Sequence, residues 1–263
     1  MRKCLDSVIR EEPKEVIAVD AMSNDGTIDI LDQYGARIIP DPLGPIGHAR
    51  QIGVDAATGD YVMFVDSDVE LGVLCLQTMV RDLIANNWVG VHAVLLSAEN
   101  ASYWQKAEND DYLNYYHPGP IKRIDTIAAL FKRNILLNFP FDRRLVAAED
   151  VDLSRRLILA GYGLGVSTAI AYHTHRREFS AFAKQRYRNG VGSAQLGMKY
   201  GTRNTRTLLT PFLSALSHTI RAPMRGQVDL IPYRLAQAPI IFAGVLMGLS
   251  RIGFSRANWE ALS

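Results

Sequence analysis

The chain has 263 residues, of which 21% are charged and 48% hydrophobic, and its formal net charge is +2. This composition excludes a disordered chain, a collagen-like fibre and a small disulfide scaffold. The length suits one large α/β domain, or a catalytic domain with an appendage. The near-neutral sum conceals two parts of opposite sign: residues 1–172 hold 16 Lys and Arg against 24 Asp and Glu, and the remainder 13 against 3. Eleven of the late cations are Arg, whose planar fork grips phosphate in two-pronged fashion, so phosphate esters, lipid headgroups and nucleic acid are the partners to weigh for that part. Cys4 and Cys75, the only cysteines, have neither metal-ligand nor redox spacing and suit a reducing compartment. The first residues, MRKCLDSVIREEPKE, lack the apolar core of a secretory leader, so the expectation is a cytoplasmic protein, peripheral at the membrane if its tail meets lipid.

In chain order, Leu5, Val8 and Ile9 predict a short amphipathic helix closed by Pro13. VIAVD at 16–20 reads as a strand, SNDGT at 23–27 as a turn opening a helix through Ile28, Ile30 and Leu31, and Ala36 to Ile39 as the next strand. Two prolines and two glycines make 41–47 a loop. A helix is expected over His48 to Thr58 and a buried strand at 61–66. Another helix over 72–85 and a strand at Val89 to Leu96 follow. The polar, aromatic stretch from Glu99 to Pro120 reads as a long functional loop. A strand near Ile124 to Phe131, a helix over Asp150 to Ala160 and a strand near Leu164 to Tyr172 complete the acidic part. The rest reads as basic helices with apolar patches at Leu208 to Ile220 and Ile240 to Leu249. Alternating strands and helices point to a mostly parallel sheet covered on both faces.

Four constellations carry chemistry. Asp66 and Asp68 in FVDSDVE end a buried strand, where α/β sheets bind ligands, and a divalent cation relieves the repulsion between such acids; each could equally cap a local turn. Asp20 and Asp25 follow another strand and can accept hydrogen bonds from a nucleobase imide or ribose hydroxyls, although an N-capping turn explains them as well. Glu149 and Asp150 open an amphipathic helix, either complementing its dipole or supplying a general base. In YHTHRREFSAFAKQRYRNG, His173 could join Asp68 on a metal, and Gln185, Arg186 and Arg188 form a cluster suited to a diphosphate.

The order of these motifs resembles the family 2 glycosyltransferases of GT-A fold over roughly residues 1–200: D-x-(S/N)-x-D-G-T, an Arg-bearing helix, a GDY strand ending in D-x-D, E-D-x-D-L-S-x-R-L, then H-x-H and Q-R-Y-R. The resemblance implies a Rossmann-like α/β domain over 1–200 and a basic helical extension over 201–263. It implies that Asp20, Asp25 and Arg50 bind the nucleotide, that Asp66 and Asp68 hold Mn²⁺ or Mg²⁺ on the donor diphosphate, and that Asp150 is the base of inverting transfer from a nucleotide-sugar to a glycan or lipid-linked acceptor. The family's first strand, expected before Leu5, is absent from the chain, and its acceptor-side Gly-Gly appears as Ala128-Ala129. The alternatives are a nucleotidyltransferase and a catalytically impaired nucleotide-sugar-binding fragment. A haloacid dehalogenase-type phosphatase places its first acid on the first core strand, unlike this chain. Neither late apolar patch reaches the roughly 20 residues of a membrane span. With Arg221, Arg225, Arg234, Arg251 and Arg256 beside them, they read as interfacial helices on an anionic membrane surface, the rival being packing on the catalytic domain or a second subunit. No nucleic-acid reader motif is present, and nucleic acid is not an expected partner.

Overall fold

The computed structural model describes residues 1–42, 44–97, 102–174, 178–201 and 204–252. In chain order the elements are α1 (Arg2–Arg10), β1 (Ile17–Asp20), α2 (Thr27–Gln33), β2 (Arg37–Pro40), α3 (Ile46–Ala56), β3 (Tyr61–Val65), β4 (Val69–Leu71), α4 (Cys75–Ala85) and β5 (Gly90–Ser97). There follow α5 (Tyr103–Leu113), β6 (Gly119–Ile121), β7 (Ala128–Lys132), α6 (Arg133–Asn138), α7 (Glu149–Leu159), β8 (Leu164–His173), α8 (Phe179–Lys199), α9 (Asn204–Arg221) and α10 (Ile231–Ile252). They form two compact units. The first comprises Met1–Glu99, Tyr112–Arg143 and Glu149–Thr174, and the second the described residues of Asn100–Asp111, Arg144–Ala148 and His175–Ser263. The boundary expected at residue 200 falls inside the second unit, at the end of α8.

The first unit is α/β. Its main sheet is mixed, in the order β3-β7-β5-β8-β4 with β6 also on β8; β5 and β8 run parallel, whereas β7 is antiparallel to β3 and β5, and β4 and β6 are antiparallel to β8. The strands β1 and β2 pair parallel as a separate two-stranded sheet. Alternation along β7 shows why both faces are dry: Ala128 and Leu130 belong to one core with Met79 and Leu83 of α4, and Ala129 and Phe131 to another with Val54, Leu136, Leu153 and Leu157. Ala128 and Ala129 are thus both buried strand residues. Cys4 donates towards the Asp66 carbonyl at 3.5 Å and Cys75 packs against Met79. Burial pushes these thiols up, to about 11 and about 12 respectively.

The second unit is helical. It has two small cores, one of Leu145, Ala194, Met198, Val245 and Leu249, the other of Ala107, Phe182, Leu230 and Tyr233. The helices α8 and α10 approach closely because Gly190 and Gly244 lack side chains: a Cβ on either would strike the backbone of the other helix.

Three expectations need correction. The stretch from Glu99 to Pro120 contains α5 as well as β6, and what is described of it is no long loop. The helix escaped detection because its buried residues include Gln105 and Asn109, so it has no clean apolar stripe; Trp104 stacking on Phe182 at 5.1 Å holds it instead. The strand near Ile124 begins only at Ala128, because the Asp125 carboxylate turns back to accept the Ile127 N–H at 3.3 Å. The apolar helix near the C-terminus is also longer than its Ile240–Leu249 patch suggested. Residues Val228–Ser250 have mean hydropathy 1.5 and are, by length and composition alone, sufficient to cross a bilayer.

Candidate active site

The D-x-D segment is shaped by two strands. Past the end of β3, the Asp66 N–H donates to the Ile127 carbonyl at 2.9 Å, and the Asp66 carbonyl accepts from the Val69 N–H at 3.0 Å, closing a tight turn. That turn starts β4, whose Val69 lies opposite His173 of β8, and the Thr174 N–H donates to the Asp68 carbonyl at 2.9 Å. Register therefore brings the Asp68 carboxylate to 3.4 Å from His173 Nε2.

Arg50, one turn into α3, reaches Asp66 at 3.6 Å and also pairs with Glu149. The start of α3 sits against the start of α7 because of Gly47, where a Cβ would come within 2.5 Å of the Asp142 carbonyl oxygen and 3.4 Å of the Glu149 Cβ. Protein thins the water around Asp66 and pushes its carboxyl up to about 6; Arg50 opposes the rise, while the negative charges of Asp68 and Asp125 add to it. Asp66 nevertheless keeps 42% of its side chain accessible, so a ligand can reach it.

Asp150, the second residue of α7, is buried; its Oδ1 accepts the Val151 N–H at 2.8 Å, and its Oδ2 lies 3.6 Å from Arg123. Burial raises its pKa above the usual carboxylate value. Arg123 is the largest opposing influence, and Asp125 adds to the rise. Although burial works against the Arg123 charge, Asp150 and Asp125 outweigh it and hold the guanidinium protonated. Ala148 enters α7 at φ 63°, a conformation few residues other than glycine adopt.

Arg123, Asp125, Tyr112, Tyr116 and His92 were not anticipated. Tyr112 and Tyr116 stack with centroids 4.2 Å apart, and the His92 ring stands edge-on to Tyr116 at 4.6 Å. Burial pushes His92 down to about 4 and the Tyr116 hydroxyl up, so both are neutral at pH 7. The signal that could have exposed Asp125 was the I-D-T turn ahead of β7, which the strand reading absorbed.

Asp20 and Asp25 lie at the carboxyl end of β1 in turns of their own. Asp20 accepts the Ser23 N–H at 2.7 Å, and Asp25 accepts the Thr27 hydroxyl at 2.6 Å and its N–H at 3.2 Å, which holds Asp25 below the usual carboxylate value. The structure thus gathers Arg50, Asp66, Asp68, Glu149, Asp150 and His173 around the strand ends of the first unit. Gln185, Arg186 and Arg188 belong to α8 of the second. There Arg186 pairs with Glu108, donates to the Tyr233 hydroxyl at 2.7 Å and lies over the Phe182 ring, while Arg188 is exposed. His175 and Arg256 lie outside the described residues. Among the described residues no three His, Cys, Asp or Glu side chains are grouped closely enough to hold a cation by themselves.

Comparison with known proteins bears on the family and the fold. The chain is 36% identical over 81 residues to the poly(ribitol-phosphate) beta-glucosyltransferase of Bacillus spizizenii, a match covering 27% of this chain and 13% of that protein. It is 23% identical over 218 residues to EpsH of Bacillus subtilis, a glycosyltransferase by name, covering 75% of this chain and 62% of that one. The chain therefore spans less than two thirds of either relative. Among solved structures, the mannosyltransferase PcManGT of Pyrobaculum calidifontis shares the fold at TM-score 0.58 and 16% identity, over 99% of this chain and 74% of that one. TarS residues 1–349 of S. aureus share it at 0.52 and 17%, over 96% and 88%. The model of glycosyl transferase family 2 matches residues 1–140, more than half of the chain, and the protein belongs to that family.

Proposed function

We propose that the protein transfers a hexosyl group from a nucleoside-diphosphate sugar to a hydroxyl of a glycan or lipid-linked acceptor, with inversion, and that Asp150 is the base. The supporting observation is a buried carboxylate at the start of α7, with Arg123 at 3.6 Å opposing the burial-driven rise in its pKa, in the same unit as the D-x-D turn. In this reading the acceptor hydroxyl attacks the anomeric carbon, its proton passes to Asp150, and the bond to the β-phosphate oxygen breaks on the opposite face. Asp20 and Asp25 hold the base and ribose, and Arg50 steadies the acidic turn. Gln185, Arg186 and Arg188 are the second unit's candidates for a phosphate group. Glu149 fixes Arg50 through their ion pair and so aims it.

The residues present fit a divalent cation. Asp66 and Asp68 are hard oxygen donors, His173 stands beside Asp68, and the like charges that add to the desolvation of the Asp66 carboxyl are the kind a cation relieves. Asp66 and Asp68, with His173 beside Asp68, are the residues that would hold Mn²⁺ or Mg²⁺, whose charge would offset that of the departing diphosphate. The basic helical unit is read as the part that meets an anionic membrane surface on the cytoplasmic side.

The test is consumption of UDP- and GDP-sugars, because structural relatives were solved with GDP-Man and with UDP-GlcNAc. Release of the nucleoside diphosphate supports the reading, and release of pyrophosphate points to nucleotidyl transfer instead. Asp150→Asn is expected to keep donor binding by calorimetry while transfer falls by about 10²-fold or more; unchanged turnover removes Asp150 as the base.

A further inference from the structure

A surface helix of a globular protein ordinarily turns its apolar stripe inward. In α9 the arrangement is reversed. Leu209, Leu213, Leu216 and Ile220 recur at i, i+4, i+7 and i+11, which places them along one face, and they are 54%, 59%, 56% and 65% exposed. Among the described side chains of this helix, the one buried is the small Ala215. Met224, just beyond the helix, is 87% exposed. A run of large apolar side chains held in water needs a partner.

Charge identifies the partner's chemistry. Arg221 closes α9 and Arg225 follows it, both exposed, in the part of the chain where 13 cations face 3 acids. Two of the acids that α5 brings to this unit are engaged, Glu108 with Arg186 and Asp111 with Arg234, while Asp110 and Asp229 also lie in it. Arg221 and Arg225 give the stripe a positively charged border at its C-terminal end. The rival reading, α10 as a transmembrane span, fits the structure less well. Its Arg234 is 2% exposed and bonded to Asp111 and Gln227, and its Gly244 and Gly248 fit against α8. The side of α10 that carries these residues is committed to the protein.

We propose that α9 lies in the plane of an anionic lipid surface, with Leu209, Leu213, Leu216 and Ile220 among the acyl chains and Arg221 and Arg225 at the headgroups. The proposal rests on reading the second unit as the membrane-facing part, and it names the face and mode of contact. Such a helix gains from both buried apolar area and attraction to anionic headgroups.

The experiment is sedimentation of the full chain with vesicles of phosphatidylcholine alone or mixed with phosphatidylglycerol, at low and high salt, with donor consumption measured in the same samples. The wild type is expected to sediment with the mixed vesicles at low salt and to be released by high salt. The double variant Arg221→Gln/Arg225→Gln is expected to bind about thirtyfold more weakly. Leu213→Gln/Leu216→Gln/Ile220→Gln, all at exposed positions, is expected to lose binding by at least about tenfold with an unchanged melting temperature and unchanged donor consumption. Wild type that ignores anionic vesicles overturns the proposal, as does a triple variant that binds like wild type. Resistance to alkaline extraction, indicating a span, also overturns it, and so does a wild-type dimer that the triple variant dissolves, indicating a second copy as the partner. Vesicle binding without donor consumption would instead refute the transferase reading and leave this one standing.

Discussion

Replacing Arg123 with Met tests whether the Arg123 guanidinium sets the protonation of Asp150. Two unit charges 3.6 Å apart attract by about 4 to 5 kcal/mol at an effective dielectric constant of about 20. Because 56% of the Arg123 side chain is accessible, water screens most of this, leaving about 1.5 kcal/mol, or about one pKa unit. The sign follows from the roles: Asp150 must be ionised to accept a proton, burial already raises its pKa, and Arg123 opposes that rise. Removing Arg123 should therefore shift the acidic limb of log kcat/KM upward by about one pH unit, while activity well above the limb stays near wild type. The charges facing Asp150 are Arg123, Asp125 and Arg50, and the neutral Tyr116 is nearby, so Asp125→Asn should move the same limb the other way. A limb that stays in place, with activity lost equally at every pH, would falsify the coupling.

Asp66→Asn should raise the melting temperature of the metal-free protein at neutral pH while transfer is lost. A carboxyl whose folded pKa is raised to about 6 contributes stability below its unfolded pKa near 4 that disappears as pH rises through about 6. The gain should therefore shrink on acidification, and scanning calorimetry at several pH values would show a constant difference if the reasoning is wrong. Arg186→Met should discriminate between a donor-binding and a structural role. If its bonds to Glu108 and Tyr233 define it, the melting temperature falls by an amount corresponding to about 3 kcal/mol with KM for the donor unchanged. An intact fold with a raised KM assigns it to the diphosphate. Gly47→Ala should separate the starts of α3 and α7 and weaken the Arg50–Glu149 pair, reducing kcat more than stability; an unaltered kcat would show that the close approach is dispensable.

Much of the first unit was legible because its strands are short apolar runs closed by Gly, Asp or Pro and its helices carry clear stripes. The D-x-D and E-D motifs could be placed at strand and helix ends from those boundaries alone. What remained hidden depends on tertiary contacts. The strand β4 is three residues long and exists through its pairing with β8, yet that pairing is what sets Asp68 beside His173. Asp125 and Arg123 sit in a turn that looks like strand in a sequence containing Ile124 and Ile127. The helix α5 is held by aromatic stacking and ion pairs, which leave no periodic signature. The outward stripe of α9 was visible as an apolar patch, but only the structure shows which side faces solvent.

The two cysteines have a practical corollary. Buried and with thiol pKa values of about 11 and about 12, Cys4 and Cys75 remain protonated at neutral pH and should react slowly with alkylating reagents. The natural chain thus offers a chemically quiet background into which a single surface cysteine can be introduced, for instance at Leu213. A spin label or fluorophore attached there would report its own depth in a bilayer.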